Sequence, residues 1–157
     1  MSSAAAQILA QVDGFSNLNE DELEIIANLA LPKKYTLGSI IVNEGDHSDE
    51  LYVIFKGQVS IDFKSYNNTA VNICRIGEQQ LFGELAYLDD QPRSATATTT
   101  MDSKILVLGR DLLNECFNDN PTIGYKVMTE IAQIVTRKLR FTNLALKDKA
   151  SQPQFPT

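Results

Sequence analysis

The stretch Leu51-Tyr52-Val53-Ile54-Phe55-Lys56-Gly57-Gln58-Val59-Ser60-Ile61-Asp62-Phe63-Lys64 decides the fold class. Its second half alternates, with Val59, Ile61 and Phe63 apolar and Ser60, Asp62 and Lys64 polar. That period of two belongs to a strand with one wet face. Its first half, 51–55, is almost continuously apolar and suits a strand buried more deeply. Outward from this pair, further strand candidates lie at 39–42, 70–76, 95–100 and 103–108, punctuated by Gly38, Gly45, Gly77 and Gly83, with Asn67-Asn68 at a hairpin tip. Many short strands with regular turn signals predict a mainly β fold, a jelly-roll or double-stranded β-helix barrel over 33–109.

Helices flank the strands. Residues 4–12 are good helix formers ended by Asp13-Gly14. Asn19 and Glu22 have the spacing of a capping box, and Leu23, Ile26, Ala27 and Ala30 form an apolar stripe that stops before Pro32. Residues 110–117 read as a short helix, and Asn120-Pro121 opens a long one that runs to about Lys147. On that helix Ile123, Val127, Met128, Ile131, Ile134, Val135, Leu139, Phe141, Ala145 and Leu146 share one broad arc, interrupted by Lys138 and Thr142. A stripe this wide packs on a barrel and still offers a seam to a second helix, so a homodimer through the C-terminal helix is expected. The predicted organisation is a single domain over 1–147 (helices within 4–30, barrel 33–109, C-terminal helices 110–147), followed by a frayed tail at 148–157.

Charge and composition narrow the function. The chain has 157 residues and a formal charge of −6, which argues against general nucleic-acid binding. Residues 1–121 carry a balance of −10 and residues 122–157 one of +4. The helix macrodipole favours such basic residues near a C-terminus, and an acidic partner surface is the alternative. Cys74 and Cys116 are too few for a disulfide scaffold. No apolar run approaches the ~20 residues of a membrane span, and Met1 to Ala10 lacks a basic n-region, so a cytoplasmic protein is expected. The single histidine, His47, lies in the turn-like Glu44-Gly45-Asp46-His47-Ser48-Asp49 and argues against metal oxygenases, zinc hydrolases and Ser-His-Asp hydrolases.

The chemistry concentrates in Phe82-Gly83-Glu84-Leu85-Ala86-Tyr87-Leu88-Asp89-Asp90-Gln91-Pro92-Arg93-Ser94-Ala95-Thr96. Gly83 lets its backbone approach a ligand closely. Residues 84–88 suit one helical turn whose free N–H groups meet an anion. Arg93 offers a charged fork for phosphate oxygens, unless it forms only a surface salt bridge with Asp89 or Asp90. Glu84 beside an anion site makes sense if it accepts from a hydroxyl such as a ribose 2′-OH. Donors for a phosphate beside an acceptor for a sugar describe a nucleotide pocket.

This segment resembles the phosphate-binding cassette of cyclic-nucleotide-binding domains, the family of the protein kinase A regulatory subunit and the catabolite activator protein. The resemblance extends through Gly38, Gly45-Asp46, Leu51-Tyr52-Val53-Ile54, Gly57 and Ile76-Gly77, over roughly residues 15–145, and Arg93 follows Glu84 by nine positions. It implies that Glu84 accepts from the ribose 2′-OH and that Arg93 pairs with the exocyclic phosphate oxygens. It further implies that N–H groups around Leu85, Ala86 and Ala95, with the Ser94 hydroxyl, complete the cradle, and places Phe82 and Gly83 among the ligand-binding residues. Ile61, Ile73 and Ile76 would wall the pocket, with Cys74 a neighbour. The family ligand is cAMP or cGMP, and Ser94 does not discriminate between them. Thr142 and Asn143 fall where a base-contacting pair would lie, and Lys138 where a basic residue reaches toward the cassette glutamate. The alternative for Thr142 is a hydroxyl bonded to a backbone carbonyl one turn back.

No residue set for hydrolysis is apparent, so a binding module is expected rather than an enzyme. The ten residues after Lys147 are too few for a helix-turn-helix, and no DNA-binding output is expected in this chain. The expected function is a stand-alone cyclic nucleotide sensor that signals to an unidentified effector by moving its C-terminal helix. The alternative is a dimerisation module of the same fold that ignores nucleotide.

Overall fold

The computed structural model describes residues 1–151. Its elements run α1 (Ala4–Leu9), α2 (Glu20–Ala27), β1 (Leu31–Tyr35), β2 (Ile40–Val42), β3 (Leu51–Lys56), β4 (Val59–Lys64), β5 (Ala70–Ile76), β6 (Gln80–Phe82), α3 (Glu84–Asp89), β7 (Thr96–Thr99), β8 (Ser103–Leu108), α4 (Arg110–Asp119) and α5 (Pro121–Ser151). The strands form two four-stranded antiparallel sheets, ordered β1-β8-β3-β6 and β2-β7-β4-β5. The expected barrel is therefore two stacked sheets that are not closed by hydrogen bonds into one ring.

Sequence pattern explains the layering. In β3, Leu51 and Val53 point outward to the helices, while Tyr52 and Ile54 point inward to the second sheet. A strand covered on both faces needs the continuous apolar run seen at 51–55. The inner layer joins Tyr52, Ile54, Phe82, Ile105 and Val107 of one sheet to Val42, Val59, Ile76 and Ala97 of the other. The outer layer packs α1, α2, α4 and the first half of α5 on Leu51, Val53, Leu81, Leu106 and Leu108. Phe15, Leu9, Ile26 and Ile131 are fully buried there, each contributing about 1.5–3 kcal/mol.

The capping box at α2 forms as its spacing predicts: the Glu22 N–H donates to Asn19 Oδ1 at 2.9 Å, and the Asn19 N–H donates to Glu22 Oε2 at 3.2 Å. Two strands, β1 and β6, were not expected. Pro32 reads as a helix breaker, but β1 is an edge strand, where a missing N–H is tolerated. Strand β6 has only three residues, too few to show a period.

The long helix departs from expectation at its far end. It continues to Ser151 rather than stopping near Lys147, so residues 148–151 of the expected tail are helical. Residues 152–157 of that tail lie outside the described residues. Burial on α5 ends at Ile134 and Val135, and Leu139, Phe141 and Leu146 of the expected arc are exposed. Among the described residues, no helix is long and apolar enough to cross a membrane.

Candidate functional site

Strand β6 delivers the chain to Gly83, whose φ of 86° is left-handed, and α3 begins at the next residue. A Cβ at Gly83 would lie 2.8 Å from Arg93 Nη1 and 2.9 Å from the Glu50 carbonyl oxygen, so only glycine fits here without displacement. Helix α3 covers Glu84 to Asp89, one residue beyond the turn expected at 84–88, and ends in a left-handed Asp90. Leu85 and Ala86 sit in its first turn, where no intrahelical carbonyl reaches the N–H groups.

The chain then returns to Arg93, whose backbone is tied on both sides. Its N–H donates to the Asp46 carbonyl, and its own carbonyl accepts from the Gly45 N–H, each at 2.8 Å. Arg93 is 5% exposed. Nε donates to Ser48 Oγ at 2.8 Å, Nη1 to the Gly83 carbonyl at 3.0 Å and Nη2 to the Glu50 carbonyl at 2.9 Å. Its face lies 5.5 Å from the centre of the Tyr52 ring, which stacks on Phe82 at 4.9 Å. The expected alternative, a surface pair with Asp89 or Asp90, does not form; Asp90 instead meets Arg110 at 2.7 Å. The counter-charge near Arg93 is Glu50, whose Oε2 lies 3.5 Å from Nη2 outside hydrogen-bonding geometry and has no other polar partner.

Glu84 is only 4% exposed. Its Oε1 accepts from Lys138 Nζ on α5 at 2.6 Å. A buried carboxylate needs such a partner, since an unpaired one would cost several kcal/mol of solvation. The ion pair holds the middle of α5 over a cavity of about 460 Å³ lined by both ends of the cassette. That volume suits a small organic ligand.

Nearly all the residues singled out from sequence meet at this cavity. Phe82, Gly83, Glu84, Leu85 and Ala86 form one side, and Arg93, Ser94 and Ala95 another. Ile61, Ile73, Ile76 and Cys74 wall it from β4 and β5. Burial pushes the Cys74 thiol above its ordinary value, with Lys138 opposing and Glu84 reinforcing the shift. Thr142 lines the cavity and also donates to the Lys138 carbonyl at 3.0 Å, as its alternative reading anticipated. Asn143 does not line it, because one step along a helix turns a side chain about 100° away.

Sequence reasoning missed Val42 and Ala97 in the wall and Arg137 and Phe141 on the lid. The helical spacing 137–138–141–142 carried a signal for the last two. It also missed Ser48, Glu50 and Tyr52, which hold Arg93 in place.

Comparison with known proteins agrees with this geometry. The profile of the cyclic nucleotide-binding domain matches residues 32–120, more than half of the chain. The chain belongs to the cyclic nucleotide-binding domain family. Among relatives of this cyclic nucleotide-binding domain is a CRP-like cAMP-activated global transcriptional regulator of Mycobacterium tuberculosis, 28% identical over 142 residues, which are 90% of this chain and 62% of the regulator. A cGMP-dependent protein kinase of Eimeria tenella is 34% identical over 128 residues, 81% of this chain and 12% of the kinase. The chain thus spans less than two thirds of either relative. A cyclic nucleotide-binding domain from Methylobacillus flagellatus superposes with a TM-score of 0.84 at 22% identity, covering 97% of this chain and 85% of that one, and shares the fold.

Proposed function

We propose that this cyclic nucleotide-binding domain is a sensor that takes cAMP, with cGMP the competing ligand, in the cavity beneath α5. The observation that carries the reading is a nearly fully buried cation, Arg93, and a nearly fully buried anion, Glu84, lining one cavity. In this reading Arg93 donates to the exocyclic phosphate oxygens with the N–H bonds its three protein acceptors leave free. The N–H groups of Leu85, Ala86 and Ala95 and the Ser94 hydroxyl complete the cradle. Glu84 accepts from the 2′-OH while keeping Lys138, since a carboxylate has about four acceptor positions. Ile61, Ile73 and Ile76 bury the sugar and base, and the Thr142 hydroxyl retains an acceptor position toward the base. Asn143 takes no part. The reaction is binding, and hydrolysis is not part of the proposal.

Helix α5 reports occupancy in this reading. It supplies Arg137, Lys138, Phe141 and Thr142 to the cavity, and it departs from α4 at Asn120-Pro121, where Pro cannot continue the α4 ladder. Ligand shifts α5 only by its differential affinity for the two helix positions, about 1.4 kcal/mol for each factor of ten. The exposed Leu139, Phe141, Leu144 and Leu146 on the distal half support a second copy of the chain as the partner.

Calorimetric titration with cAMP, cGMP and AMP tests the site. The expected result is binding of a cyclic nucleotide well above AMP, weakened by roughly 2–5 kcal/mol in Arg93→Ala. In Lys138→Gln, ligand dissociation should accelerate severalfold, because the lid loses its ion pair to the buried Glu84 carboxylate. Unchanged cyclic nucleotide affinity in Arg93→Ala would remove the phosphate assignment.

A further inference from the structure

A second cavity, of about 320 Å³, opens at the far end of the first sheet, away from the cassette. Three lysines line it, one from each of three adjacent strands. Lys104 of the middle strand β8 pairs with Lys34 of β1 on one side and, just past a register shift between Ile54 and Lys56, with Lys56 of β3 on the other. Lys104 is half-buried, and Lys34 and Lys56 are exposed. Like charges directly opposite each other on neighbouring strands repel and destabilise a sheet. Among the described residues none of the three forms an ion pair, although the chain carries 20 carboxylate side chains and a net charge of −6. The one carboxylate in the lining, Asp102, is engaged in the loop, where its Oδ1 accepts from the Leu37 N–H at 2.8 Å.

Packing does not account for this row. The outer face of the same sheet is covered by helices around Leu106 and Leu108, and the lysines lie beyond that cover. We propose that the lysine row is a second anion site, distinct from the cassette, that takes a compact polyphosphate. Concavity and small size favour such a ligand over an acidic protein segment: the volume sits at the low end for small-molecule clefts, and the Thr36 side chain on the rim adds a hydroxyl. A bridging polyanion would turn two repulsive cross-strand pairs into shared charge-assisted contacts.

Inorganic tripolyphosphate is the probe. Titrated into the full chain at fixed ionic strength, it should shift the amide resonances of residues 33–36 and 102–105, leave those of 83–86 in place, and raise the thermal midpoint. The double variant Lys34→Gln/Lys104→Gln should bind it about tenfold or more weakly while keeping the wild-type response to cAMP. Shifts confined to 83–95, equal affinity in the double variant, or no binding at millimolar probe would each overturn the proposal. Tighter binding of hexaglutamate than of tripolyphosphate would overturn it in favour of an acidic protein partner.

Discussion

Arg93 shows how a side chain acquires a role through its neighbours. A guanidinium in water is mobile and solvated; this one is held by two backbone carbonyls and a serine hydroxyl against an aromatic face. Its position therefore depends on Gly83, whose carbonyl it grips and whose missing Cβ it occupies. Gly83→Ala would place a methyl 2.8 Å from Nη1 in a backbone conformation that alanine resists. We expect it to lower stability by about 1–3 kcal/mol in denaturant melts and to weaken cyclic nucleotide as strongly as Arg93→Ala. Wild-type affinity in that variant would show that Arg93 does not need this seat. Gly83, Glu84 and Arg93 were legible in sequence because their spacing carries the cassette. Glu50 was not, since it accepts through a main-chain carbonyl that any residue type supplies, and Ser48 was not, since its hydroxyl meets Arg93 from 45 residues away in the chain.

At the scale of the element, α5 divides into three lengths with different surroundings. Ile123, Val127, Ile131 and Ile134 belong to the core. Arg137, Lys138, Phe141 and Thr142 roof the cavity, and Leu139, Leu144 and Leu146 face outward at 59–61% exposure. Periodicity announced one apolar stripe but not where its cover ends, because that depends on how far the sheet beneath extends. For the proposed self-association, sedimentation at tens of micromolar should give a dimer for the wild type and a monomer for Leu139→Gln/Leu146→Gln. A wild-type monomer at that concentration would remove the partner reading without touching the ligand site.

The whole molecule carries a pH dependence of its own. Tyr52, between the sheets, and Tyr87, under the helices, are both buried, and burial pushes each phenol up to about 12. Glu50 adds to the shift at Tyr52, while Arg110 opposes it at Tyr87. An unfolded tyrosine releases its proton near pH 10, so between about 10 and 12 the folded chain holds protons that the unfolded one has lost. Stability is therefore complete below pH 10 and falls as pH rises toward 12. Denaturant midpoints should drop from pH 9 to pH 11, and less steeply in Tyr52→Phe/Tyr87→Phe. An equal drop in that variant would assign the loss to other groups, such as the lysines.

Hydrophobic period was enough to mark the strands at 51–64, 70–76 and 103–108 and the long final helix, and the Asn19–Glu22 spacing was enough for the α2 cap, because each signal is written in residues close in the chain. The cassette motif likewise marks Gly83, Glu84 and Arg93 by residue type and spacing. Only the folded chain decided that β1 closes an edge through Pro32, that Asn143 turns away while Phe141 turns in, and that three lysines stand shoulder to shoulder. Each of those outcomes depends on register between strands or on rotation of a helix over a sheet. Such long-range geometry is fixed when distant segments pack, and no local run of residues encodes it.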